Sequence, residues 1–138
     1  MCKVLIIGNQ RDSYEALRPL LGENREVKIC NQAEGEESVL EQVRRLSPKL
    51  ILLDMAEKPP GRLMETLRQA VPETPIFLLT PTYNAQVEKN AIASGVTAVF
   101  SKLDDREALK ANAKAVLQEH GERVETQEPL KKRAKGSR

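Results

Sequence analysis

The chain has 138 residues, enough for one domain of ordinary size and too few for two that each bury a core. Hydrophobic residues at 40% and charged residues at 30% suit a soluble globular chain, and aromatics at 3% with no Trp leave the core to Leu, Ile, Val and Ala. The formal net charge of +2 hides an asymmetry, because residues 1–121 hold 16 Lys and Arg against 17 Asp and Glu whereas residues 122–138 hold 6 against 3.

The first apolar run, Val4 to Ile7, reads as a strand. Tyr14, Leu17 and Leu21 follow at helical spacing; Pro19 inside that pattern is expected to kink or shorten the helix, and Gly22 to end it. Val27 to Cys30 is the second strand, and Val39, Val43 and Leu46 mark the second helical face. Pro48 announces a third strand, Leu50 to Leu53, followed by a helix carrying Met64, Leu67 and Val71. Pro75 announces a fourth, Ile76 to Leu79, with Val87 and Ala91 on the next helix and Gly95 at its stop. Ala98 to Phe100 is the fifth strand; Asp104 with Glu107 resembles a capping box for a last helix bearing Leu109, Ala113, Val116 and Leu117.

The five runs start 23, 23, 26 and 22 residues apart, room for one helix in each gap, and four of them are continuous rather than alternating, as in strands covered on both faces. Five βα units predict an α/β fold with a doubly wound parallel sheet; five strands are too few for an eight-stranded barrel. Ligands of such sheets sit beyond the carboxyl ends of the strands, which directs attention to Gly8-Asn9-Gln10, Asp54, Thr80-Pro81 and Ser101-Lys102. Cys2 opens one strand and Cys30 closes its expected neighbour, too far apart for a disulfide. With His120 as the single histidine, structural zinc is excluded.

An acid, a hydroxyl and an ammonium at the ends of the third, fourth and fifth strands give residues 3 to about 118 a resemblance to the receiver domain of bacterial response regulators, the flavodoxin-like module that accepts a phosphoryl group from a histidine kinase. The resemblance implies a sheet order of 2-1-3-4-5, with Asp54 as phosphoacceptor candidate, Thr80 and Lys102 in the phosphate pocket and Phe100 at the switch aromatic position. The bland reading of Phe100 is a core residue. It also implies a partner face on the fourth helix, fifth strand and fifth helix, including Val87, Ala91, Val99 and parts of 105–117.

The sequence departs from the family at the chemistry. The family's two acidic metal-binding positions read Gly8 and Asn9, which leaves no magnesium site or a weak one through Asp54. Asp12 reads as a helix cap. Pro81 has no N–H where the family donates one to the phosphoryl oxygens, and Leu103 stands where a cis proline is usual, so a trans bond is expected. The loop from Met55 to Gly61 keeps Pro59-Pro60-Gly61 without the family's spacing. With its acidic neighbours gone, Asp54 is expected to pair with Lys102.

The resulting expectation is an atypical receiver over 1–121, cytoplasmic and not an enzyme, that needs no cofactor and acts by binding a protein partner, a histidine kinase or a downstream signalling protein. One alternative is a working phosphoacceptor at Asp54. Another is a nucleotide- or flavin-binding protein on the same scaffold, although Gly8-Asn9-Gln10 lacks the spaced glycines of a dinucleotide fingerprint. The tail over 122–138 reads as a disordered, solvated end or linker, with contact to nucleic acid through its basic cluster the less favoured reading; no membrane contact is expected.

Overall fold

The computed structural model describes residues 2–8, 15, 17–19, 21, 25–31, 35–55, 61–102 and 104–117. In chain order the elements are β1 (Cys2–Gly8); α1, of which Glu15, Leu17, Arg18, Pro19 and Leu21 are described; β2 (Arg25–Asn31); α2 (Glu36–Leu46); β3 (Leu50–Asp54); α3 (Gly61–Ala70); β4 (Ile76–Thr80); α4 (Ala85–Ala93); β5 (Ala98–Ser101); and α5 (Arg106–Leu117). All strands are parallel, in the order β2-β1-β3-β4-β5. This is the doubly wound parallel sheet that the spacing of the apolar runs predicts, in the flavodoxin-like strand order that the receiver resemblance implies.

Alternation along the strands sorts the core into two layers. Leu5, Ile7, Ile51, Leu53 and Leu78 face α2, α3 and α4, packing on Val39, Val43, Met64, Leu67 and Ala91. Val4, Ile6, Leu50, Leu52 and Phe77 face α1 and α5, packing on Leu17, Leu21, Leu109 and Ala113. Every residue of β3, β4 and β5 is buried, which is why these strands read as unbroken apolar runs. Edge strand β2 is covered less completely, with Val27 and Cys30 buried, Glu26 and Ile29 half-buried and Lys28 exposed.

Several local expectations change. Pro19 is itself helical, as are Arg18 and Leu21, so α1 is not cut short at the proline. Pro75 adjoins β4, whereas Lys49 separates Pro48 from β3. The cap of α5 is Asp105 rather than Asp104: the Asp105 carbonyl accepts the Leu109 N–H at 2.8 Å, the first bond of the helix, so Asp104 and Glu107 do not form a capping box. Gly95 does end α4. At φ +113° it donates its N–H to the Ile92 carbonyl, and the Val96 N–H reaches Ala91, the paired bonds of a Schellman motif. Cys2 lies opposite Arg25 and Cys30 opposite Ile7, five rungs or about 16 Å apart along the pair, and Cys30 is a buried thiol outside any disulfide. Gly22, Asp12, His120 and the boundary at 121 lie outside the described residues.

Candidate functional site at the strand ends

Three strand ends build the crevice. Asp54 closes β3, Thr80 closes β4, and Lys102 follows Ser101, the last residue of β5 and the register partner of Thr80. Beyond the strands the ladder continues for one rung on each side of β4, with the Met55 N–H donated to the Leu79 carbonyl at 3.3 Å and the Lys102 N–H to the Thr80 carbonyl at 2.8 Å. Strands β3 and β5 lie about 10 Å apart across β4, a gap that a lysine stem spans and a short side chain does not. Accordingly Lys102 Nζ sits 2.8 Å from Asp54 Oδ1, the ion pair expected from the sequence.

The two partners differ in environment. The Asp54 side chain is 4% exposed and that of Lys102 36%, so the carboxylate is desolvated while the ammonium keeps part of its water. Such a pair holds well only while intact, because removing the cation strands a buried charge. Asp54 makes no other hydrogen bond or ion pair among the described residues.

Thr80 is 2% exposed, and its hydroxyl is turned into its own loop. The Thr82 N–H donates to Thr80 Oγ1 at 3.1 Å and the two hydroxyl oxygens stand 3.2 Å apart. Pro81 explains the turn: it has no N–H, so the first amide available to the Thr80 hydroxyl is that of Thr82, an ST-turn across the proline. At the neighbouring strand end the Ser101 N–H donates to Asp105 Oδ2 at 2.8 Å, the Asp104 N–H to Ser101 Oγ at 3.1 Å and the Asp105 N–H to the Ser101 carbonyl at 3.1 Å, closing a tight β5–α5 connection. The hydrogen bonds of these two turns have only short signals in the sequence: a proline flanked by two threonines, and two aspartates three and four residues after a strand-end serine.

Phe100 is fully buried on the α1 and α5 side, its ring 5.2 Å from that of Phe77 and tilted by 58°. By alternation Thr80 and Val99 face the opposite layer, so the sheet lies between Phe100 and the Thr80 hydroxyl. The face expected for partners also needs correction. Ala91 and Val99 are each 2% exposed and belong to the core, and Val87 is half-buried, because the spacing that identified them is the spacing of core contacts. The exposed residues of these helices include Gln86, Lys89, Asn90, Ile92, Arg106, Glu107 and Lys110, with Ile92 the exposed large hydrophobic of the described residues. Gly8 is a buried strand end. Asn9, Gln10, Leu103 and the Pro59-Pro60 stretch lie outside the described residues.

Fit to a divalent cation follows from the donor set. A hard cation such as Mg²⁺ prefers several oxygen ligands. Of the described carboxylates at this end, Asp54 is paired with an ammonium and Asp104 and Asp105 are engaged by the β5–α5 turn, while Gly8 offers none; among the described residues no group of three His, Cys, Asp or Glu side chains converges. These residues do not make a magnesium site.

No protein-family model and no curated protein matches the sequence. Solved structures do match in shape. A two-component response regulator from Clostridium difficile superposes with a TM-score of 0.72 at 23% identity, covering 88% of this chain and 99% of that one. The chain has the receiver fold. The signal receiver domain of a DNA-binding response regulator from Colwellia psychrerythraea gives 0.70 at 15% identity, covering 86% and 99%. A CheY-like protein from Pseudomonas aeruginosa gives 0.68 at 15% identity, covering 90% and 97%. At these identities the likeness is one of fold, and Asp54, Thr80 and Lys102 stand at the carboxyl ends of three of its strands. Among the described residues no helix is long and apolar enough to cross a membrane.

Proposed function

We propose that the chain is a receiver-type module of cytoplasmic two-component signalling that works by binding protein partners, a histidine kinase or a downstream signalling protein, with magnesium-dependent phosphorylation of Asp54 weakened or lost. The observation that carries this reading is the 2.8 Å pair between Lys102 and a carboxylate almost wholly removed from water. Phosphoryl transfer to an aspartate needs cationic and N–H groups gathered around the incoming phosphoryl oxygens. Here the cation nearest the acceptor is already paired with it, the Thr80 hydroxyl is held by Thr82, and Pro81 removes an N–H donor. A lost donor of that kind costs on the order of 3 kcal/mol of transition-state stabilisation.

In this reading the module is not an enzyme and uses no cofactor. The ion pair ties β3 to β5, the two turns fix the β4–α4 and β5–α5 connections, and the surface between α4 and α5 is presented in one conformation. The test is treatment with acetyl phosphate in the presence and absence of Mg²⁺, read by intact mass. An unchanged mass under both conditions supports the proposal. Efficient magnesium-dependent gain of one phosphoryl group, abolished in Asp54→Ala, refutes it in favour of a working phosphoacceptor; thermal stabilisation by nucleotides or flavins favours a small-molecule binder instead.

A further inference from the structure

The opposite pole of the sheet carries a groove. Between the carboxyl ends of α2 and α3, where β3 and β4 begin, lies an open groove of about 630 Å³, within the range of small-molecule sites. Val43 and Pro48 form a buried part of its lining, and Val71 and Pro75 a half-buried part. The rim is polarised. Arg44 and Lys49 come from the end of α2 and the approach to β3, whereas Glu73 comes from the α3–β4 turn on the other wall.

The side chains of Arg44, Lys49 and Glu73 are exposed and hold no ion pair or hydrogen bond among the described residues. Several other cations are committed to partners, among them Arg45 to Gln42, Lys28 to Glu26, Lys102 to Asp54, and Arg68 to the carbonyls of Pro72 and Thr74. Arg68 in this way covers the carbonyls that follow α3 and reduces the negative potential that a helix end would otherwise turn toward an anion. Ser47 adds a further feature. It adopts a left-handed conformation at φ +47°, a position glycine fills more easily, and it lines the groove.

We propose that this groove binds small amphipathic carboxylates, the apolar body lying on the half-buried Ala70, Val71 and Pro75 and the carboxylate engaging Arg44 and Lys49. Glu73 sets the direction, because it repels a carboxylate from its own wall. An Arg–carboxylate pair supplies the geometric selectivity that a point charge lacks. The site is independent of the Asp54 crevice, so neither reading stands or falls with the other.

Sodium octanoate, kept below its micelle concentration, is the probe. Titrated into nitrogen-15-labelled full-length protein, it is expected to give saturable amide shifts confined to residues 43–49 and 70–75. Arg44→Gln with Lys49→Gln should weaken binding by about tenfold. Both are surface positions, so the fold is retained. Octylammonium chloride should not bind, and Asp54→Asn should leave octanoate affinity unchanged. Absence of saturable shifts, equal affinity for octylammonium, undiminished binding in the double variant, or shifts centred on Asp54 would each overturn the assignment.

Discussion

The two poles of the sheet treat their polar groups in opposite ways. At the carboxyl ends of the strands, Asp54, Thr80, Ser101 and Lys102 are satisfied by one another or by the adjoining turns. At the amino ends, Arg44, Lys49 and Glu73 surround a groove without partners among the described residues. In a receiver fold the first pole is the expected place for chemistry. Here its described strand-end side chains are partnered with one another or with the adjoining turns, and the groove rimmed by Arg44, Lys49 and Glu73 lies at the other end.

Breaking the closed pole should cost the most. Lys102→Met leaves a buried carboxylate without its cation, and we expect a loss of about 2 kcal/mol in urea unfolding. That is below the roughly 3 to 5 kcal/mol of a fully buried pair because the ammonium is partly solvated. Adding Asp54→Asn should recover most of the loss; a double variant as unstable as Lys102→Met alone would mean that the pair contributes by packing rather than by charge.

Next comes the frame of the amino pole. Gly95 holds φ +113°, and a Cβ there would stand 3.1 Å from Arg68 Cγ and 3.3 Å from Cδ. Arg68 is anchored by its two carbonyl contacts, and burial lowers its pKa by desolvation. Gly95→Ala should therefore destabilise by about 1 to 2 kcal/mol, measured as a shift in the denaturation midpoint. An unchanged midpoint would show that Arg68 yields freely.

Smaller effects sharpen the contrast. Thr82→Val removes one hydroxyl contact to Thr80 but keeps the N–H, so a loss of about 0.5 kcal/mol is expected, with faster amide exchange through residues 81–84 as the more sensitive readout. Ser47→Gly should gain about 0.5 kcal/mol by relieving the left-handed serine. Arg44→Gln and Lys49→Gln should stay within about 0.5 kcal/mol of the parent, since surface groups without partners add little to stability.

The architecture was legible because its cause is local. Fully covered parallel strands must be apolar on both faces, so Leu50–Leu53 and Ile76–Leu79 announced themselves, and crossover helices set their spacing. The Asp54–Lys102 pair was legible for a related reason: strand order fixed which ends meet, and residue type fixed what they do there. Periodicity, however, reports burial and says nothing of exposure, which is why Ala91 and Val99 were misplaced on the surface while Ile92 went unnoticed. The Thr82 and Asp105 contacts depend on turn geometry one or two residues wide, below what a repeating pattern resolves. The groove arises from two helix ends, Leu46 and Ala70, that are 24 residues apart in sequence, a meeting that no single segment encodes.

The central claim is that the acid at the end of β3 is held by an ammonium and not by a metal. Its most direct test is a magnesium chloride titration of the full-length protein, followed by the NMR resonances of the Asp54 carboxylate and the Lys102 side chain, with calcium chloride as a control for ionic strength. The account predicts no saturable shift at either group beyond the common effect of salt. A saturable, magnesium-specific change at Asp54 accompanied by release of Lys102 would contradict it.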